Sequence, residues 1–243
     1  MSGAIFITGA SGGIGAATAR CFLAEGWQVG LFARRRGALE AVGQGALNAH
    51  ILPGDITEAA AVEGAVARFA KAARRLDVLF NNAGIFSPPG TPDEVSLADW
   101  DAAIAVNLRG MIVAARAAFA QMRAQSPQGG RIINNGSISA TAPRELAGPY
   151  TVTKHAITGL TKQIALDGRA FDIACGQIDI GNAETDLLRG IAERASAAGE
   201  VPPPMFEVAE VARAVWHMAT LPPEANVLAM TLMATKMPYV GRG

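Results

Sequence analysis

The 243-residue chain is poor in the side chains that build metal and covalent sites, with only two cysteines and three histidines. Cys21 and Cys175 lie far apart in apolar surroundings, with neither disulfide nor zinc spacing. They read as buried thiols of a reducing compartment. His50 and His217 have no partner at ligand spacing, so no metal site follows. Charge is scarce, at 17% of residues, and balanced, with 21 basic against 21 acidic side chains; no global basic field points to nucleic acid. No uninterrupted apolar run reaches membrane-spanning length, so no membrane partner is expected. An apolar strand begins almost at the first residue and leaves no room for a signal peptide. There is no internal repeat, and no linker long enough to split the chain. These absences predict a cytoplasmic protein of one domain spanning residues 1–243.

Half of the residues are hydrophobic, which suits a parallel sheet covered on both faces. Short β-branched runs alternate with helical patterns along the chain. Strands are expected at 4–8, 28–33, 49–52, 78–81, 131–136, 173–178 and 227–232. Helices are expected at 13–25, 58–74, 102–125, 150–168 and 207–220. That alternation gives an α/β fold, a doubly wound parallel sheet of about seven strands in a three-layer α/β/α arrangement. The proline-bearing stretches 86–92 and 184–205 read as irregular.

The first strand breaks at Thr8-Gly9 into Ala10-Ser11-Gly12-Gly13-Ile14-Gly15, after which a helical pattern begins. A strand, a glycine turn and a helix N-terminus together offer free N–H groups and a positive helix end to a diphosphate. Gly9, Gly13 and Gly15 permit close backbone approach there. Their spacing is one residue wider than the common G-x-G-x-x-G.

Further along, Tyr150 and Lys154 stand four apart at the start of a helical stretch, and Ser137 lies thirteen residues before the tyrosine. Residues four apart share a helix face. An ammonium beside a phenol favours the phenolate, and a phenol tuned toward neutrality can exchange a proton with a carbinol oxygen. Ser137 supplies a hydroxyl for that same oxygen.

Taken with Asn81-Asn82-Ala83-Gly84 after a strand and Asn107 within a long helical stretch, these motifs resemble the short-chain dehydrogenase/reductase family from about residue 4 onward. The resemblance implies a Rossmann-like fold and a catalytic set of Ser137, Tyr150, Lys154 and Asn107. Asn107 would support a water linking Lys154 to solvent, and Lys154 would hold the nicotinamide ribose. It further implies cofactor contacts from Gly9, Ser11, Gly13, Ile14 and Gly15, and from Asp55 and Ile56, with Asp55 accepting from the adenine amino group. Asn81, Ala83 and Gly84 would line the adenine-ribose side, and Gly181, Ala183 and Thr185 the nicotinamide side. Residues 184–206 correspond to the family's substrate lid. The tail Met237-Pro238-Tyr239 would dock on a neighbour in a homo-oligomer, a tetramer or dimer. One departure stands out: Ile180-Gly181 replaces the family's Pro-Gly and leaves the lid's entry angle open.

Cofactor choice turns on Ala33-Arg34-Arg35-Arg36 after the second strand. A carboxylate there would hold the ribose hydroxyls of NAD, whereas guanidiniums suit a 2′-phosphate. NADP(H) is therefore expected, through Arg34 and Arg35, with NAD(H) second; Arg36 reads as solvated. The expected reaction is hydride transfer between NADP(H) and a small carbonyl or alcohol. The alternatives are a catalytically silent dinucleotide sensor or scaffold, and an epimerase or dehydratase with retained cofactor. Asp179 reads as structural, holding backbone, and Arg144 and Glu145 as an exposed loop pair.

Overall fold

A computed structural model describes residues 3–240. Seven strands form one sheet, all parallel, in the order β3-β2-β1-β4-β5-β6-β7. They are β1 (Ala4–Thr8), β2 (Gln28–Ala33), β3 (Ala49–Pro53), β4 (Val78–Asn81), β5 (Gly130–Asn135), β6 (Ile173–Ile180) and β7 (Ala229–Leu232). The order reverses between β1 and β4, and there the C-terminal strand ends part to leave a crevice.

The long helices are α1 (Gly13–Ala24), α3 (Ala59–Ala73), α5 (Met111–Ala124), α6 (Gly148–Asp167) and α8 (Val208–Thr220). Alternation within β1 divides the two cores. Ile5 and Ile7 join Ala16, Ala19 and Phe22 of α1 and Val211, Val215 and Met218 of α8. Phe6 points the other way, among Val62, Val66 and Phe69 of α3 and Ala114 and Ala118 of α5. This is the expected three-layer arrangement.

Three helices were not expected. Helix α2 (Arg36–Val42) buries Leu39 and Val42. Helix α4 (Leu97–Ile104) starts at Ser96, whose side chain accepts from Asp99 N, a cap legible in Ser-x-x-Asp. Helix α7 (Asp186–Ala197) lies in the stretch expected to be irregular. Thr185 caps it by accepting from Leu188 N, and the prolines at 202–204 stand beyond its end. Proline there marks where the segment stops and says nothing against the helix before it.

Helix α4 continues through a π-helical turn, Ala105–Gly110, into α5. The composite helix, Leu97–Ala124, has the length and apolar composition of a membrane span, but Asp99, Asp101, Arg109 and Arg116 interrupt it, so it is not an uninterrupted apolar run. Its α5 part buries Met111, Ala114, Ala115, Ala118 and Met122, and this packing accounts for much of its apolar character. Strand β6 runs two residues past its expected end, to Ile180, where a proline would have disturbed the ladder.

Phe69 is fully buried and meets Phe6 with ring centroids 5.8 Å apart and His50 at 5.3 Å. Phe69→Ala is expected to remove about 3–5 kcal/mol of stability through the lost contacts and the cavity left behind. Denaturant unfolding checks this; an unchanged midpoint would contradict the packing described.

Candidate active site

The crevice at the strand ends holds two adjoining cavities of about 740 and 500 Å³ that share Gly9, Gly12, Ala83, Gly84, Ile85 and Thr185. The glycine turn forms their common floor. Gly9 and Gly13 take positive φ, 69° and 50°, which other residues rarely adopt. A Cβ on Gly15 would overlap the Gly9 carbonyl oxygen. Helix α1 begins at Gly12 with no side-chain cap, so its first N–H groups lack a side-chain acceptor. Asn82 holds the turn: its Nδ2 donates to Thr8 O at 2.9 Å, and Thr8 Oγ1 accepts from the N–H groups of Asn82 and Ala83 at 2.8 and 2.9 Å.

The larger cavity carries Ser11, Arg34, Arg35, Asp55 and Ile56. Asp55 Oδ1 accepts from Thr57 N and Thr57 Oγ1 at 2.9 and 2.8 Å, and these bonds hold its carboxyl below the ordinary range. Arg36 stands outside and pairs with Glu40 on the exposed face of α2.

The smaller cavity ends at Tyr150 and Lys154, both from α6, with Ile14, Phe86, Gly181 and Ala183 around them. Lys154 is 3% exposed, and its Nζ donates to Asn135 O at 2.7 Å. Ser137 follows β5 and caps a 3-10 turn, its Oγ accepting from Ser139 N at 3.1 Å. It lies near enough to Tyr150 for its hydroxyl to lower the pKa of the phenol.

The sequence profile of the short chain dehydrogenase family matches residues 3–196. The chain belongs to the short-chain dehydrogenase/reductase family. A sulfoacetaldehyde reductase of Chromohalobacter salexigens is 29% identical over 98% of this chain and 96% of its own length. The closed form of a serine dehydrogenase complexed with NADP+ superposes with a TM-score of 0.88 at 25% identity, covering 99% of this chain and 98% of that one. A 3-ketoacyl-(acyl-carrier-protein) reductase of Brucella melitensis, complexed with NADH, superposes with a TM-score of 0.84 at 24% identity over 94% and 96% of the two chains, a likeness of fold.

Not every residue expected from the family lies in the crevice. Asn81 is fully buried behind it, donating to Met111 O at 2.8 Å and to Asn134 Oδ1 at 3.1 Å; its neighbour Asn82 lines the cavity instead. Asn107 sits in the π-helical turn. Its Oδ1 accepts from Ile85 N at 2.7 Å and its Nδ2 donates to Ile85 O at 2.8 Å, so the side chain is committed to the chain behind the cavity.

The expected tuning of Tyr150 by Lys154 has several contributors in the structure. The ammonium lies over the ring, 5.5 Å from its centroid. Burial raises the phenol above its ordinary value, the Ser137 hydroxyl and the Arg144 guanidinium pull it down, and the Asp179 carboxylate adds to the rise. Burial also brings Lys154 down to about 8, with Asp179 opposing that fall.

Phe86 has no sequence signal of any kind, yet its ring stacks on Tyr150 at 4.4 Å between centroids and 16° between planes. At the chain end, Tyr239 bonds Thr141 through the two hydroxyls, and Met237 packs on Gly181. The described part of the tail therefore contacts its own chain; residues 241–243 lie outside the described residues. His155 is exposed on α6, its Nδ1 2.9 Å from Thr151 O.

Gly15→Ala is expected to weaken NADPH binding at least about tenfold, because the added methyl must push α1 away from the turn. Fluorescence titration checks this beside a thermal melt; unchanged affinity in a folded variant would contradict the geometry.

Proposed function

We propose that this protein is an NADP(H)-dependent oxidoreductase that moves hydride reversibly between the nicotinamide and a small carbonyl or alcohol, with Tyr150 as general acid or base. The observation that carries this reading is the meeting of Tyr150 and Lys154 at one end of a crevice floored by the glycine turn, with Ser137 near enough to act on the phenol. The turn fits a dinucleotide: at Gly15 a Cβ would collide, and the N-terminus of α1 is free of a side-chain cap.

When bound, the nicotinamide supplies the hydride. The remaining work falls to the chain. Ser137 Oγ already accepts from Ser139 N, which leaves its O–H to donate toward a substrate oxygen and steady the charge growing there. Tyr150 delivers the proton to that oxygen in reduction and removes it in oxidation. Because burial raises the phenol, it holds its proton at neutral pH. That supports carbonyl reduction near neutrality and alcohol oxidation at higher pH. Lys154 would hold the nicotinamide ribose, and the bonds of Asn107 to Ile85 support its part in shaping the wall.

Preference for NADP(H) rests on Arg34, Arg35 and Ser11 in the larger cavity and on Ala33, not a carboxylate, ending β2. A half-buried apolar strip along α5 and α6, with Phe119, Leu160 and Phe171 beside the exposed Ile112, supports the homo-oligomer expected from the family.

Tyr150→Phe is expected to lower kcat by about 10²–10⁴ while NADPH still binds. A panel of carbonyls and alcohols read by NADPH absorbance tests it, and near-full activity of the variant would remove Tyr150 from the mechanism. Arg34→Ala is expected to raise the Kd for NADPH about 10- to 100-fold and leave NADH unchanged. Equal losses for both nucleotides, or a native preference for NADH, would overturn the reading of Arg34.

A further inference from the structure

Behind Ser137 lies a carboxylate that the reaction above does not use. Asp179, on β6, is 7% exposed. Its Oδ1 accepts from the backbone N–H of Ser137 at 2.9 Å and from Gln177 Nε2 at 2.7 Å. Gln177 is in turn tied to α6: its Nε2 donates to Thr158 Oγ1 at 3.1 Å, and its Oε1 accepts from Thr161 Oγ1 at the same distance. The place for the carboxylate is made by Gly136, where a Cβ would overlap Asp179 Oδ1 and crowd Gln177 Nε2. One anion thus joins the strand bearing Ser137 to the helix bearing Tyr150 and Lys154.

Lys154 is a buried ammonium whose direct partner is a neutral carbonyl, and among the described residues it has no ion pair within 4.0 Å. A buried cation without a nearby anion sheds its proton readily. We propose that Asp179 is a positioning residue of the active site: its Oδ1 fixes the backbone of Ser137 and, through Gln177, ties β6 to α6, and its carboxylate is the buried counter-charge to the Lys154 ammonium. The charged groups acting here are Asp179 on β6, Lys154 and the Tyr150 phenol on α6, and Arg144 in the loop before α6, which acts on Tyr150. Opposition between burial and Asp179 at Lys154 supports the same assignment.

The inference rests on the reading of Lys154 as a nucleotide-binding group, and the test separates the two. NADPH affinity is measured by fluorescence across neutral and alkaline pH for the full chain, Asp179→Asn and Lys154→Met. Asparagine keeps an oxygen for Ser137 N and Gln177 and removes only the charge. The native protein is expected to lose affinity on the alkaline side as Lys154 deprotonates, Asp179→Asn to lose it at lower pH, and Lys154→Met to show no such step. Coincident native and Asp179→Asn profiles, or a flat native profile, would overturn the role of the charge. Failure of the native protein to bind NADPH at any pH would instead overturn the oxidoreductase reading. For the second role, Asp179→Ala removes the acceptor as well. On a carbonyl that the native enzyme turns over, its kcat at neutral pH is expected at least about tenfold below that of Asp179→Asn. Equal kcat values would overturn the fixing of Ser137. Should the alanine variant not fold, the asparagine profile still decides the proposal.

Discussion

The Lys154 ammonium is held out of water at the meeting point of β5, β6 and α6, and much of the surrounding polar structure answers to that burial. Its proton is donated to Asn135 O, and the Asn135 side chain donates to Asn82 Oδ1 at 2.8 Å. Asn82 donates to Thr8 O at the head of the glycine turn. A continuous run of hydrogen bonds therefore links the lysine at one end of the crevice to the phosphate-suited turn at the other. Such a run fixes both ends relative to one another, which a hydride acceptor and donor require if they are to meet at reacting distance. A second polar run crosses beneath it, from Asn81 through Asn134 and Thr161 to Gln177 and Asp179. Apart from Asn81 Oδ1, which is buried without a partner, the side-chain groups of this run are paired, and such pairing favours one arrangement because most alternatives strand a donor or acceptor away from water.

Burial of the tyrosine and the lysine has opposite consequences. It favours the neutral form of each, so the phenol keeps its proton while the ammonium is pressed to give one up. In the roles proposed for them, a general acid gains from the first effect and a ribose-holding cation suffers from the second. The two groups need different corrections: the Ser137 hydroxyl tempers the phenol, and a nearby anion supports the ammonium. Ser137 and Asp179 are bonded to each other through Ser137 N, so both corrections depend on one local geometry.

What was legible in the sequence follows from how local each signal is. Six of the seven strand starts fall within one residue of their expected places, because β-branched runs between turn residues are self-contained signals. The glycine turn and the Tyr150–Lys154 pair are likewise short motifs whose geometry is set by one strand end and one helix face. Phe86 was invisible because its stacking joins a proline-rich loop to α6 across more than sixty residues of chain. Asp179 was read as a backbone-holding residue, and it is one. Its nearness to Lys154 depends on β6 lying beside β5, a fact of sheet order and not of spacing. Asn81 and Asn82 show the converse limit: adjacent residues at a strand end point to opposite faces, and the motif alone does not say which faces the crevice.

The replacement of proline by Ile180 left the entry to the lid open at the level of sequence, and the structure supplies other constraints in its place. Ile180 pairs with Leu232 in the β6–β7 ladder, and Gly181 N donates to Leu232 O at 2.8 Å. The sheet thus carries the chain one turn further than a proline would have allowed. Gly181 is then pressed between Met233 and Met237, with no room for a Cβ. Just beyond, Glu184 N donates to Phe206 O at 2.8 Å and Phe206 N to Asn182 O at 3.1 Å, so the two ends of the segment holding α7 are zipped together. The N-cap residue of α7, Thr185, lies against Gly13 of the glycine turn. The start of α7 thus forms part of the crevice wall at the turn, and Thr185 lines both cavities.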